Sequence, residues 1–501
     1  MDPADQLSRR AAARQSDEGP TREVGRLRQA ALLAAPDRLI GYVELAAVMR
    51  ARSRPLPAAQ WLGLCRRLAP DDAHTLALLA DALAHARNPT AIDARRLVVL
   101  AQPDRARHYA LLGATLTLLN RARDALPALA RAVRVDPNDA TGLTNLGATW
   151  RITGALGDAD TVLRRALVLA PDDRRIAWNF GRLRLTRGDL AAGWRHYDAG
   201  LGIPMARPLR RALPAPLWRG EALAGRAVLV IGEQGIGDEM LFATCLPDLI
   251  ARGADCTLEV EPRLLPLFRR AFPTTHVATH GDPAIDRRRY DTVVPMASLP
   301  RWLRPSYAAF PATSAVLRAD PARVAHWRRV LDDHGPRPWI GFGWRSGLMR
   351  TERLWYYPDV DDWSPLFDVA ATSLVSLQHG DVAAERAAFA NRWGHAPTLL
   401  PGLDPGGDLD ELAAAMMALD LVISVGTATR VLAGALGRPT WYVGPWPNWM
   451  FLGRESCPFF PAERAYHRRR ETPWRAVMEK MATDLSGWLS AARAGHARSP
   501  A

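Results

Sequence analysis

Two short stretches of this chain carry residues whose types and spacing could do chemistry. In "IGEQGIGDEM" (231–240) an apolar run ends in a Gly-rich elbow with three carboxylates, Glu233, Asp238 and Glu239, and leads into a plausible helix. Gly235 and Gly237 let the chain turn tightly. Such an elbow either cradles a phosphate and positions a base, or is a tight βα turn in which Asp238 is a plain helix cap. In "SVGTATR" (424–430) the small residues Gly426, Thr427, Ala428 and Thr429 open a second helix. Backbone N–H groups at a helix start attract anions, and small residues let a phosphate come close. A threonine at a strand-to-helix turn also caps helices routinely.

Further candidates lie between them. Arg345 and Ser346 directly follow the apolar "PWIGFGW" (338–344), and a guanidinium fork suits phosphate or carboxylate oxygens. Arg350 is the alternative cation, with a solvated loop arginine as its plain reading. Gln378 and His379 end "SLVSLQHG" (373–380), where a histidine is more often structural than catalytic. The D-x-D stretches "DVDD" (359–362) and "DLD" (408–410) precede helix-like segments and fit capping acids better than a Mg²⁺ site. No metal is expected.

The elements that must position these residues alternate between strand and helix. Strands are predicted at 226–232, 256–261, 276–280 and 291–296, with helices near 238–251 and 262–272. A second set of strands is predicted at 338–344, 372–378, 419–425 and 439–444, with a helix near 427–436. Two α/β halves joined near 320–336 predict two Rossmann-like domains facing a cleft.

The preceding third is a repeat. Prolines stand at 36, 70, 103, 137 and 171, close to every 34 residues. Most follow a helix end, where proline cannot continue the helix. A 34-residue period of paired helices is the tetratricopeptide signature. Leu143, Leu146, Gly147, Trp150, Ala159, Leu163 and Ala166 fill its expected places, with Gly147 and Ala159 allowing close helix approach. About five repeats fall in 37–206, after a partly disordered lead or cap over 1–36. Asn145 and Asn179 share one repeat position, where an amide could hold a peptide backbone or be an exposed polar residue recurring by descent.

The ordered set "IGEQGIGDEMLFATCLPDLIARGADCTLEVEPRLLPLF", "IGFGWRSG", "SLQHGD", "DLDELAAAMMALDLVISVGTATRVLAGALGRPTWYVGP" and "WMFLGRESCPFFP" resembles the heptosyltransferase-like glycosyltransferases fused to tetratricopeptide repeats. The W-R-S-G form is similar to a branch that includes flagellin-modifying glycosyltransferases. The resemblance implies a GT-B fold over an acceptor-side domain (226–335) and a donor-side domain (336–490), with a linker at 207–225 and a tail at 491–501. It implies Asp238 as the base toward the acceptor hydroxyl, although backbone N–H groups at a helix start would lower its pKa and weaken it. Glu233 and Glu239 are the alternatives. It implies a nucleotide-sugar donor, with an activated nonulosonic acid among the candidates, held by Gly235, Gly237, Arg345, Ser346, Gln378, His379, Gly426, Thr427, Ala428 and Thr429, and no cofactor beyond that co-substrate. The chain departs from the family pattern where Gly426 replaces an acid, where Val431 stands at a histidine position, and where "GWRSG" lacks a lysine.

Composition narrows the classes. The net charge is +13 over 501 residues, yet Lys480 is the only lysine and the arginines are spread through the helices. That is a poor nucleic-acid footprint. No stretch reaches the length of a membrane span and the four cysteines show no C-x-x-C spacing, so a cytoplasmic protein is expected. The expected function is protein glycosylation, with a polypeptide acceptor such as flagellin recruited by the repeats. The alternative is a non-catalytic scaffold with a degenerate transferase domain.

Overall fold

In a computed structural model the chain forms two compact units, Met1–Pro171 and Asp172–Ala501. The structure describes residues 3–18, 20–35, 39–51, 55–68, 72–204, 206–312, 315–334, 337–347, 357–370, 373–469 and 471–496.

The first unit is built of helix hairpins: α1 (Pro3–Glu18) with α2 (Arg22–Ala34), α3 (Leu39–Ala51) with α4 (Pro55–Leu68), α5 (Ala73–His85) with α6 (Ala91–Ala101), α7 (Ala106–Leu118) with α8 (Ala122–Val135), and α9 (Ala140–Thr153) with α10 (Leu156–Leu169). Within the lead or cap expected over 1–36, the described residues form the α1–α2 helix pair. Asp72 and Asp139 cap α5 and α9 by accepting backbone N–H groups. Glycine earns its place inside α7 and α9. A Cβ on Gly113 would stand 2.3 Å from Leu129 Cγ, and one on Gly147 2.6 Å from Leu163 Cγ. These equivalent contacts, 34 residues apart, are what the tetratricopeptide pattern encodes.

The second unit begins with another helix pair, α11 (Arg174–Thr186) and α12 (Leu190–Tyr197). Although in sequence they continue the repeat, Leu185, Leu190, Trp194 and Tyr197 belong to the core of the α/β region. The expected 37–206 repeat block therefore divides, its last hairpin folding with the residues that follow.

The first sheet contains β1 (Ala227–Ile231), β2 (Asp255–Val260), β3 (His276–Thr279) and β4 (Thr292–Pro295), all parallel in the order β3-β2-β1-β4. Its connections carry α13 (Ile236–Ala243), α14 (Leu246–Ile250), α15 (Leu265–Ala271) and α16 (Pro283–Arg287), followed by α17 (Leu299–Leu303) and α18 (Pro321–His334). The single helix expected over 238–251 is two, with Pro247 in the first turn of the second.

The second sheet contains β5 (Ile340–Gly343), β6 (Leu374–Ser376), β7 (Leu421–Val425), β8 (Thr440–Pro445) and β9 (Glu463–Arg468), also parallel, in the order β6-β5-β7-β8-β9. Its helices are α19 (Ser364–Ala370), α20 (Ala383–Trp393), α21 (Leu409–Ala418), α22 (Ala428–Ala435) and α23 (Trp474–His496). The halves share one apolar core, in which α13 residues Met240 and Leu241 join Val431 and Leu432 of α22.

Candidate functional site

In open parallel sheets, ligands bind beyond the carboxyl ends of strands where the strand order reverses direction. The first sheet reverses at β1, which has β2 on one side and β4 on the other; the elbow leaves the carboxyl end of β1. The second sheet reverses at β5, between β6 and β7. The ends of those three strands carry Arg345 and Ser346, Gln378 and His379, and the 426–429 turn. Both stretches singled out for chemistry therefore sit at reversal points. They also meet: a Cβ on Gly237 would stand 3.7 Å from Ala428 Cα and 3.9 Å from Val431 Cγ2. The starts of α13 and α22 lie side by side.

The elbow's tight turn is made by an unexpected residue. Gly235 is extended at φ −118°, and the left-handed residue is Gln234 at φ +67°. A Cβ on Gly237 would make only ordinary contacts with α22, so the approach of α13 to α22 does not require glycine there.

The three carboxylates have different fates. Glu233 is buried; Arg207 donates to it through both Nε (3.0 Å to Oε2) and Nη2, and the Ala297 N–H adds a bond at 3.2 Å. Glu239 is buried too, accepting from the Glu261 N–H at 2.9 Å and pairing with His280 Nε2 at 3.0 Å. Asp238 accepts the Gly235 N–H at 3.2 Å and has no side-chain ion pair among the described residues. Burial raises its pKa to about 6, with Glu233 and Glu239 adding to the rise and the Gly235 N–H opposing it. This reverses the expected lowering: desolvation outweighs the helix-start hydrogen bond. A carboxyl poised near 6 can take and release a proton near neutral pH, and Asp238 carries no competing ion pair among the described residues.

At α22 the capping reading loses ground. Thr427 stands at the N-cap, yet its side chain accepts no helix N–H. Its hydroxyl lies 3.4 Å from Ser424 Oγ. Asp173, Asp189 and Asp408, by contrast, all accept N–H groups at the starts of their helices. Gly426 is exposed, Ala428 half-buried and Thr429 buried. The first N–H groups of α22 thus open beside the elbow. One turn in, buried Arg430 is paired with Glu463 of β9 at 2.6 and 2.7 Å.

The β5 and β6 ends are more structural than expected. Arg345 donates to Glu385, to the Asp381 carbonyl at 2.6 Å and to the Ser346 carbonyl at 3.3 Å, so its guanidinium is engaged within its own half. Gln378 Oε1 accepts the Trp344 and Arg345 N–H groups at 3.1 and 3.0 Å and fixes that loop. Ser346 is buried. His379 packs on the Gly347 backbone, and burial, aided by Arg345 and Arg263, lowers its pKa. Arg350 lies outside the described residues.

The D-x-D acids are caps or ion-paired: Asp361 meets Arg392 at 3.2 Å and Asp410 accepts from Arg270 at 2.8 Å. Asp359 and Asp362 form a reciprocal capping box, and Asp408 starts α21. Among the described residues no acid, histidine and cysteine cluster is arranged to hold a metal ion. Asn179 Nδ2 donates to the Arg175 carbonyl of its own helix at 2.9 Å, so its amide is partly committed. Asn145 is half-buried on α9. Sequence reasoning missed Gln234, Arg207 and Tyr197; a non-glycine residue inside an E-x-G-x-G turn was the available signal for the first.

No family model matches the chain. Protein FlbA of Caulobacter vibrioides is 34% identical over 316 residues, 60% of this chain and 53% of that protein, so the chain spans about half the length of this curated relative. Among solved structures, the glycosyl transferase family 9 protein of Veillonella parvula is 11% identical, with 54% of this chain and 98% of that one covered at a TM-score of 0.42. YrrB, described as a tetratricopeptide protein with an unusual peptide-binding site, is 18% identical, covering 34% and 89% at 0.28. MamA of Desulfovibrio magneticus is 17% identical, covering 35% and 97% at 0.31. The chain's own helix pairs and parallel sheets carry the conclusion on architecture: tetratricopeptide-type hairpins fused to a GT-B-type α/β region.

Proposed function

We propose that the chain is a glycosyltransferase that moves a sugar from a nucleotide-activated donor to a polypeptide recruited by its repeats, in the cytoplasm, with flagellin as the first acceptor to test. The observation that supports this is the pairing of two helix starts at the sheet reversals: one carries an acid with a pKa near 6, the other presents N–H groups without a side-chain cap. In this reading the acceptor hydroxyl gives its proton to Asp238. Its oxygen forms a bond to the anomeric carbon as the bond from that carbon to the donor phosphate breaks. The electron pair leaves on the phosphate, which the α22 start stabilises.

Asp238→Asn tests it, since asparagine can keep a polar contact at the helix start. Transfer to flagellin, read as intact-mass shift in the native host with its own gene replaced, should fall about 10²–10⁴-fold, the usual contribution of a positioned base. Transfer at the wild-type rate would reject Asp238 as the base. A non-catalytic scaffold is the second reading, favoured by the engagement of Arg345 within its own half. It predicts that no polypeptide changes mass when the gene is removed.

A further inference from the structure

The elbow holds a strained residue that its fold does not require. Gln234 has φ +67°, a region that favours glycine, while glycines stand at 235 and 237 without using it. The conformation is held from several sides. Glu233 before it is fixed by Arg207, and Arg210 Nη2 donates to the Gln234 carbonyl at 3.1 Å. The side chain is held as well: the Tyr197 hydroxyl of α12 donates to Gln234 Oε1 at 3.3 Å. The other end of the amide, Nε2, is buried and has no hydrogen-bond partner among the described residues. If the amide is turned over, one end still meets Tyr197 and the other remains without a partner. A buried donor left unpaired is unfavourable unless something else uses it.

Tyr197 is a rigid anchor for that amide. Its buried ring meets Trp194 edge-on at 5.8 Å and lies over Trp449 at 5.5 Å, with the Arg207 guanidinium 5.1 Å from its centre. Asp238, four residues beyond Gln234, accepts the N–H of the residue that follows it. The last repeat helix and the elbow thus converge on the acid assigned as base.

We propose that Gln234 is a substrate-contacting residue, its amide donating to the oxygen of the acceptor hydroxyl whose proton Asp238 takes, with Tyr197 as the positioning residue that orients the amide. This rests on the transferase reading. A hydroxyl has one proton and two lone pairs, so an acid and a donor together fix both its position and its direction of attack.

The test uses the full chain in its own host, with flagellin as the acceptor and its mass shift followed over time after induction. Gln234→Gly keeps the left-handed backbone and removes the amide. Its melting temperature should equal or exceed the wild type, while transfer falls about tenfold or more, the scale of one lost hydrogen bond. Tyr197→Phe should give a smaller loss, and should add nothing in the Gln234→Gly background. Gln234→Gly transferring at the wild-type rate while Asp238→Asn fails would overturn the proposal and leave the transferase reading standing. A lowered melting temperature in Gln234→Gly would mark the amide as structural and also overturn it. If flagellin mass is unchanged when the gene is deleted, the transferase reading fails and this inference with it.

Discussion

At the scale of single residues, the three elbow carboxylates read alike in sequence and differ in what surrounds them. Glu233 and Glu239 are bound to cations, whereas Asp238 is half-buried without one among the described residues. The difference comes from Arg207, His280 and Tyr197, far along the chain, so no local pattern could reveal it. It has a measurable consequence for stability. Asp238 has a folded-state pKa of about 6 against 3.8 for an ordinary aspartate, so its contribution to stability is present below about pH 4 and is lost as pH rises through 6. Asp238→Asn escapes that loss. Relative to wild type it should gain on the order of 2 kcal/mol between pH 4 and pH 8. Glu233→Gln should behave oppositely, losing about 3 kcal/mol at neutral pH because buried Arg207 loses its bidentate partner. Melting curves of both variants at pH 4, 6 and 8 check this. An Asp238→Asn protein less stable than wild type at pH 8 would mean that the fold stabilises the carboxylate, contrary to a poised base.

At the scale of elements, much was legible. The proline period located the helix pairs, and the apolar runs located eight of the strands within one or two residues at most ends. β9 was not foreseen because "ERAYHR" alternates polar groups; it pairs with β8 and its first residue, Glu463, neutralises Arg430. The division at Pro171 was also hidden, since α11 keeps the repeat's Phe180–Gly181 pair and an Asp cap like those of α5 and α9. Only packing distinguishes α11 and α12: Trp194 and Tyr197 meet Phe242, Trp449 and Phe459 of the α/β region. A fragment of residues 1–206 therefore carries two helices without their core, while residues 1–171 end with the compact unit. Size exclusion and circular dichroism should find 1–171 monomeric with a cooperative melt, and 1–206 associating through its exposed aromatic face. Equal behaviour of the two fragments would show that α11 and α12 need no support from beyond residue 206.

At the scale of the whole molecule, the same packing fixes what a minimal transferase must contain. The Asp198 carboxylate after α12 accepts from Arg207 at 3.0 Å, from the Ser298 hydroxyl at 2.7 Å and from Arg301 at 3.0 Å, tying the last hairpin to the turn after β4 and to α17. On the other half, a Cβ at Gly453 would stand 2.8 Å from the Gly188 N, so the α11–α12 turn lies against the loop after β8. The hairpin thus contacts both halves of the α/β region. Cutting it away removes a buried Trp and Tyr and leaves Arg207 with one acid fewer, whereas cutting at 171 leaves these contacts whole. Residues 172–501 should fold with a cooperative melt, and residues 207–501 should be insoluble or molten. Recruitment should separate from chemistry at the same boundary. In the native host, 172–501 replacing the full chain should leave flagellin unmodified or modified at least tenfold more slowly, because a tethered acceptor reaches millimolar effective concentration and a free one does not. If 172–501 folds and modifies flagellin at the full rate, the first unit does not recruit the acceptor, and its hairpins serve another partner.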